Sequence, residues 1–230
     1  KNLQLAINSN LGIDDKLVDR FIDKINKICD EDRVKEFIIF TSVDTWGEQA
    51  EYIRTGLEFN RFWDNLNKIL TKCPRVNITV MGTYGLLSVP NYIKLIDGIY
   101  GLKQEYGTND RYWASAVFLD SSYLRYPWHQ SVQLLQDQKW KDTVLEQSKL
   151  MFFQGVPIFD HNYIGYSDIE IQKVKRIYDW MNADVDPKHL KMSMQNFYRY
   201  FNAHDERRNT NFLQTFPELE EFYYKCKSLC

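Results

Sequence analysis

The 230-residue chain lacks most of the features that mark specialised protein classes. No apolar run approaches the roughly 20 residues a membrane-spanning helix needs. Lys and Arg total 29 against 31 Asp and Glu, a net charge of −2. That balance offers no electrostatic footprint for nucleic acid or an anionic membrane. Glycine is scarce, with 10 residues, which argues against a repetitive or loop-dominated chain. Only four cysteines occur, Cys29, Cys73, Cys226 and Cys230. Three fall in or beside helical patterns, and a chain this long needs no stapling, so they read as reduced thiols of a cytoplasmic protein. The opening Lys1-Asn2-Leu3-Gln4 has no charged segment followed by a long apolar core, so no secretory leader is read there.

Several chemical signatures are missing as well. There is no GxGxxG and no P-loop sequence. Ala114-Ser115-Ala116 is not a nucleophile elbow. His129, His161, His189 and His204 have no zinc-ligand spacing. Asp160-His161 and His204-Asp205 read as turn or surface pairs. Cys226 and Cys230, at i and i+4, read as a packing pair sooner than as half of a metal site.

What the sequence does contain is an alternation of strand and helix patterns and a high aromatic content of 15%. Leu3–Ile7, Phe37–Thr41, Val76–Met81 and Trp113–Leu119 are strand-like. The run Phe37-Ile38-Ile39-Phe40 has no alternation, as expected of a strand buried on both faces. Helical patterns cover 14–29, with Leu17, Phe21, Ile25 and Ile28 on one face, then 48–54, 58–71 and 88–102, the last with Pro90 in its first turn. Strand starts recur about every 35 to 40 residues, which is the rhythm of βαβ units and a parallel sheet. After Leu119 the rhythm stops. Residues 128–135 predict a last strand or a short helix, and helical patterns follow at 137–153, 168–181, 187–203 and 218–229. The fold class is therefore α/β, with a β/α region over 1–135 and a helical region over 136–230. The chain opens on Lys1 and already in a strand pattern, so a preceding segment is expected.

Ligands of parallel β/α folds bind beyond the C-terminal ends of the strands. Those ends read Asn8-Ser9-Asn10, Thr41-Ser42-Val43-Asp44, Gly82-Thr83-Tyr84-Gly85 and Asp120-Ser121-Ser122. A strand-end Ser42 and an Arg54 on the next helical turn can jointly hold a carboxylate, by a hydroxyl donor and a bidentate fork. The plainer alternative is a surface Arg54 paired with Glu51 or Glu58, and on spacing alone it is the simpler reading.

The elements Asn8-Ser9-Asn10-Leu11, Thr41-Ser42-Val43-Asp44 and Glu51-Tyr52-Ile53-Arg54-Thr55-Gly56 resemble the radical SAM enzymes. They are closest to twitch domain-containing radical SAM proteins, a group frequent in phage sequences. Arg207-Arg208-Asn209-Thr210-Asn211-Phe212 and Thr215-Phe216-Pro217-Glu218-Leu219 resemble that group's C-terminal segment. Two departures stand out. The CxxxCxxC that binds the [4Fe–4S] cluster is absent and expected upstream of Lys1, and Thr45-Trp46 follows Asp44 where the family often has Gly. The resemblance implies the later part of a partial (β/α) barrel that binds S-adenosylmethionine. Such an enzyme cleaves it reductively to a 5′-deoxyadenosyl radical, with an electron donor such as ferredoxin or flavodoxin. The substrate, a peptide or a small molecule, is not specified. Ser42 and Arg54 would hold the methionyl carboxylate, Ser9 and Asn10 the methionyl or ribose part, and Thr83 the ribose, with adenine near Phe118 and Leu119. The alternative is a non-catalytic binding or scaffold protein on a remnant β/α barrel.

Overall fold

A computed structural model describes residues 2–108, 114–155 and 164–230. Four strands, β1 (Gln4–Asn8), β2 (Glu36–Ser42), β3 (Val76–Tyr84) and β4 (Val117–Tyr123), form one sheet in the order β1-β2-β3-β4. Every neighbouring pair is parallel, in the register Ala6↔Ile38, Ile39↔Ile78 and Val80↔Leu119. The expected order and direction of the strands are those observed. The fourth strand is shifted, however: it begins at Val117 and runs to Tyr123, and Trp113 lies outside the described residues. Ala116, buried and with positive φ, turns the chain into the strand.

The helices α1 (Asp15–Asp30), α2 (Glu48–Ile53), α3 (Phe59–Lys72) and α4 (Tyr92–Tyr106) fill the crossovers. Asp14 caps α1 by accepting the Leu17 N–H, as its side chain is suited to do. The buried stripe of α1 is Val18, Ile22, Ile25 and Cys29. It is turned by one residue from the expected face, and Leu17 is exposed. The fourth helix also starts later than its Pro signal: Leu86–Ser88 is a 3₁₀ turn, and α4 opens only at Tyr92.

The strands advance in one direction, so right-handed crossovers place α1, α3 and α4 on one side of the sheet. The burial of β2 records this. Phe37, Ile39 and Thr41 are buried, whereas Ile38, Phe40 and Ser42 are half-exposed. The expectation that this run is buried on both faces is therefore corrected: among the described residues the crossover helices cover one face of β2 and leave Ile38 and Phe40 half-exposed. On the covered face Gly82 is held to its small size by α4, because a Cβ there would lie 2.9 Å from the Tyr92 hydroxyl. That hydroxyl and Ser121 Oγ share a buried hydrogen bond, and Tyr84 donates to Gln147, which donates on to the Val89 carbonyl.

After β4 the segment read as strand or helix consists of two 3₁₀ turns, Trp128–Gln130 and Val132–Leu134. The remaining helices are α5 (Gln138–Phe153), α6 (Asp168–Met181), α7 (Pro187–Arg208), α8 (Phe212–Thr215) and α9 (Glu220–Ser228). They share one continuous core with the sheet. A buried carboxylate joins α6 to β4. Glu170 accepts the Leu119 N–H at 2.7 Å, the Ser167 N–H and hydroxyl at 2.8 Å, and the Lys103 ammonium at 2.9 Å. The Leu119 donor lies on the edge of β4 that no described strand pairs, so α6 satisfies a group that would otherwise be buried without a partner. A second join holds α2. Tyr52 donates to Asp205 at 2.8 Å, and Asp205 also takes the Thr210 hydroxyl and the Phe212 N–H. Phe201, Phe212 and Phe216 close around the Tyr52 ring.

Candidate functional site

Strand pleating decides which strand-end residues share a face. In a parallel ladder, paired residues point the same way. Counting along the registers, the face without helices carries Asn8 on β1, Phe40 and Ser42 on β2, Met81 and Thr83 on β3, and Phe118, Asp120 and Ser122 on β4. Met81 stands opposite both Ser42 and Asp120, and Thr83 opposite Ser122. The C-terminal end of this face is a floor of half-exposed Phe40, Met81 and Phe118, edged by Asn8, Ser42, Thr83 and Ser122. None of those four edge side chains makes a hydrogen bond among the described residues. Deeper on the same face the groups are buried and polar: Glu36, Asn77 and Thr79. Glu36 Oε2 accepts from Gln4, while Glu36 Oε1 and Thr79 Oγ1 are buried without a hydrogen-bond partner among the described residues. Burial pushes the Glu36 carboxyl above the usual carboxylate range.

The expected site residues separate on this platform. Ser42 and Thr83 lie on it. Ser9 does not: it is one residue past Asn8, its hydroxyl accepts the Leu11 N–H, and it lines a cavity against α1 with Leu17, Arg20 and Phe21. Asn10 closes a local turn by accepting the Gly12 N–H.

Arg54 caps the C-terminus of α2. Its partner is Asp44, not Glu51 or Glu58. Arg54 Nε donates to Asp44 Oδ2 at 2.7 Å and Nη2 to Oδ1 at 3.1 Å. Glu51 accepts the Phe59 N–H, and Glu58 pairs with Arg61. Asp44 Oδ1 also takes the Thr83 N–H at 2.7 Å, so one buried carboxylate ties the ends of β2 and β3 to α2. The fork expected to meet a ligand carboxylate is therefore already occupied, and Nη1 is the terminal amine left for a ligand. Beyond Asp44, Trp46 packs on Phe59 and Trp63 at centroid distances of 4.8 and 4.7 Å, anchoring the loop where the resembled family often has Gly.

Beside this junction lies a cavity of about 120 Å³, bounded by Asp44, Ile53, Thr83, Ser88, Leu124 and Gln130. It is smaller than the roughly 300 Å³ at which small-molecule sites begin. The open platform, and not this cavity, offers room for a larger ligand. Sequence reasoning reads Asn8 and Asp44 as strand-end residues without assigning them a role, and of the apolar floor it names Phe118 alone beside a ligand. Counting by two from Ser42 reaches Phe40 and Asp44 along the chain, whereas Asn8 is brought in by the β1–β2 register.

The cysteines do not fit a [4Fe–4S] cluster. Cys29, Cys73 and Cys226 are buried, and burial pushes the Cys226 thiol up to about 12. No group of three or more His, Cys, Asp and Glu among the described residues is placed to hold a metal ion. His161 lies outside the described residues. His204 packs on the Tyr52 ring, and burial lowers the His129 pKa. No described helix is long and apolar enough to cross a membrane. Compared with protein-family models, with curated proteins and with solved structures, the chain matches none.

Proposed function

We propose that this chain binds S-adenosylmethionine on the open face of a partial (β/α) barrel of the radical SAM type. The observation that carries the reading is the row Asn8, Ser42, Thr83 and Ser122. Four consecutive parallel strands bring these side chains to one end of one face, each with unspent hydrogen-bonding capacity. Such an end is where β/α folds take their ligands, and the sequence elements around Ser42 and Arg54 resemble that family. Ser42 Oγ and Arg54 Nη1 donate to the methionyl carboxylate. Asp44 fixes the Arg54 guanidinium, which lowers the entropy lost on binding but weakens its pull on an anion. Asn8 takes the role first read for Ser9 and Asn10, Thr83 Oγ1 meets a ribose hydroxyl, and adenine lies near Phe118 and Leu119. The cofactor carries the radical chemistry when a cluster is present. The cysteines of this chain supply no cluster site, so the proposal for this chain is confined to binding and orienting the sulfonium compound.

Titration of the chain with S-adenosylmethionine, followed by amide NMR, tests this. The expected result is saturable binding with shifts at Ser42, Thr83 and Ser122, weakened roughly 10-fold by Ser42→Ala, the loss of one hydrogen bond to a charged group. No saturable shift at these residues would remove the reading. The second reading, a scaffold on a remnant β/α barrel, is favoured by the occupied Arg54 fork, and that negative outcome would leave it standing.

A further inference from the structure

A separate cavity opens beyond the end of β4, where the strand faces α6, and its charge points to a second ligand. Its volume is about 290 Å³, and Ser122, Tyr123, Arg125, Lys173 and Arg176 line it. The Lys173 ammonium is paired with the Asp120 carboxylate, so that charge is spent. Arg125 and Arg176 have no carboxylate within ion-pair distance among the described residues. Arg125 Nη2 donates to the Tyr123 hydroxyl, and its guanidinium lies over the Tyr123 and Trp180 rings at 5.0 and 5.7 Å. The Tyr123 and Trp180 rings are themselves stacked at 5.3 Å. A flat cation held on aromatic faces keeps its edge N–H groups for another acceptor. Arg176 donates through Nε to the Gln172 carbonyl one turn back, which leaves both terminal amines. The two arginines come from different elements, one from the loop after β4 and one from α6. They converge on a cavity that also offers the uncommitted Ser122 hydroxyl.

We infer that this cavity binds the phosphoryl group of a small phosphorylated molecule, as a monoester or a diphosphate. A phosphoryl group presents up to two negative charges and three tetrahedral oxygens, so it can engage both arginines and a hydroxyl at once. A carboxylate, planar with one charge, satisfies one fork and leaves the other. The cavity size suits a phosphoryl group with little attached. A nucleic acid would call for an extended basic surface, whereas the chain carries a net charge of −2. The cavity shares Ser122 with the row proposed for S-adenosylmethionine, but Arg125 and Arg176 are no part of that row, so the arginine variants separate the two readings.

The test is calorimetric titration of the chain with pyrophosphate, in parallel with malonate and a short single-stranded DNA at fixed ionic strength. Saturable pyrophosphate binding is expected. Arg125→Ala and Arg176→Ala should each weaken it roughly 10-fold or more, as loss of a charge-assisted contact does. Arg199→Ala, an equal charge change on α7 outside the cavity, should leave it unchanged. Any one of four results would overturn the inference: no saturable binding up to about 10 mM, where less than 3 kcal/mol of affinity is left; equal weakening by Arg199→Ala; tighter binding of malonate; or tighter binding of the DNA. Arg176 is exposed and its hydrogen bond is to the Gln172 carbonyl of its own helix, so its variant reports on binding even if the Arg125 variant disturbs the Trp180 stack.

Discussion

Replacing Glu170 by Gln should be among the most destabilising single changes this chain can take. The carboxylate and the Lys103 ammonium are 2.9 Å apart, and their side chains are 1% and 0% exposed. Lys103 also donates to the Val117 carbonyl at 2.6 Å and lies 4.9 Å from the centre of the Tyr166 ring. With Glu170 neutral, the ammonium keeps a carbonyl and an aromatic face but no counter-charge. Breaking a buried pair from one side costs about 3–5 kcal/mol. At roughly 2–4 °C per kcal/mol for a chain of this size, the midpoint should fall by about 6–20 °C. The Gln amide adds a donor where Ser167 already presents its N–H and hydroxyl, which moves the loss toward the upper end. The pH dependence has a definite sign. Burial already lowers the Lys103 pKa from its ordinary 10.5, and Glu170 opposes that shift. Removing the opposition lowers it further, so the folded variant binds fewer protons than the unfolded chain. Stability of the variant should therefore rise with pH, from the lowered folded value up to the unfolded value near 10.5, and over a wider window than in the unaltered chain. Urea unfolding at pH 7 and pH 9, followed by far-UV circular dichroism, reads both effects. The double change Lys103→Met with Glu170→Gln should recover at least half of the loss, because no charge is then left buried. A loss below about 1 kcal/mol, or a double variant no more stable than the single one, would refute the reasoning.

Two further outcomes are open to direct measurement. Asp44→Asn should cost about 1–2 kcal/mol in urea unfolding, because the Thr83 N–H keeps an acceptor while the Arg54 fork loses its charge partner; since Arg54 is over a third exposed, a loss above about 4 kcal/mol would mean the junction supports more of the fold than its contacts indicate. Of the four thiols only Cys230 is exposed, so a thiol reagent at pH 8 should label one cysteine rapidly in the folded chain and all four in denaturant; rapid labelling of Cys226, whose thiol burial raises to about 12, would show that α9 is not docked as described.

The sequence alone determined the sequence-local features: the kind and order of the β/α elements as far as β4, and with them the parallel direction of the sheet. Helix period, cap chemistry and apolar runs are set by neighbours along the chain, so they can be read there. The start of β4 was misplaced because Ala116, which bends the chain into the strand with positive φ, is a residue that rarely marks such a turn. The buried stripe of α1 was misjudged by one residue because two adjacent apolar stripes compete in its sequence, and only packing on α3 chooses between them. Ser42 and Thr83 were legible as strand-end polar residues. Whether Ser9 or its neighbour Asn8 joins them depends on the pleat, and a one-residue difference sends a side chain to the opposite face. The partner of Arg54 was not legible at all. Glu51 and Glu58 are close in sequence, but the helical turn points them to Phe59 and Arg61, and the return of β2 beside β3 brings up Asp44. The Lys103–Glu170 pair, 67 residues apart, belongs wholly to the tertiary structure. Nothing local announces a buried charge; it exists only because α6 closes the edge of β4 and needs an acceptor there.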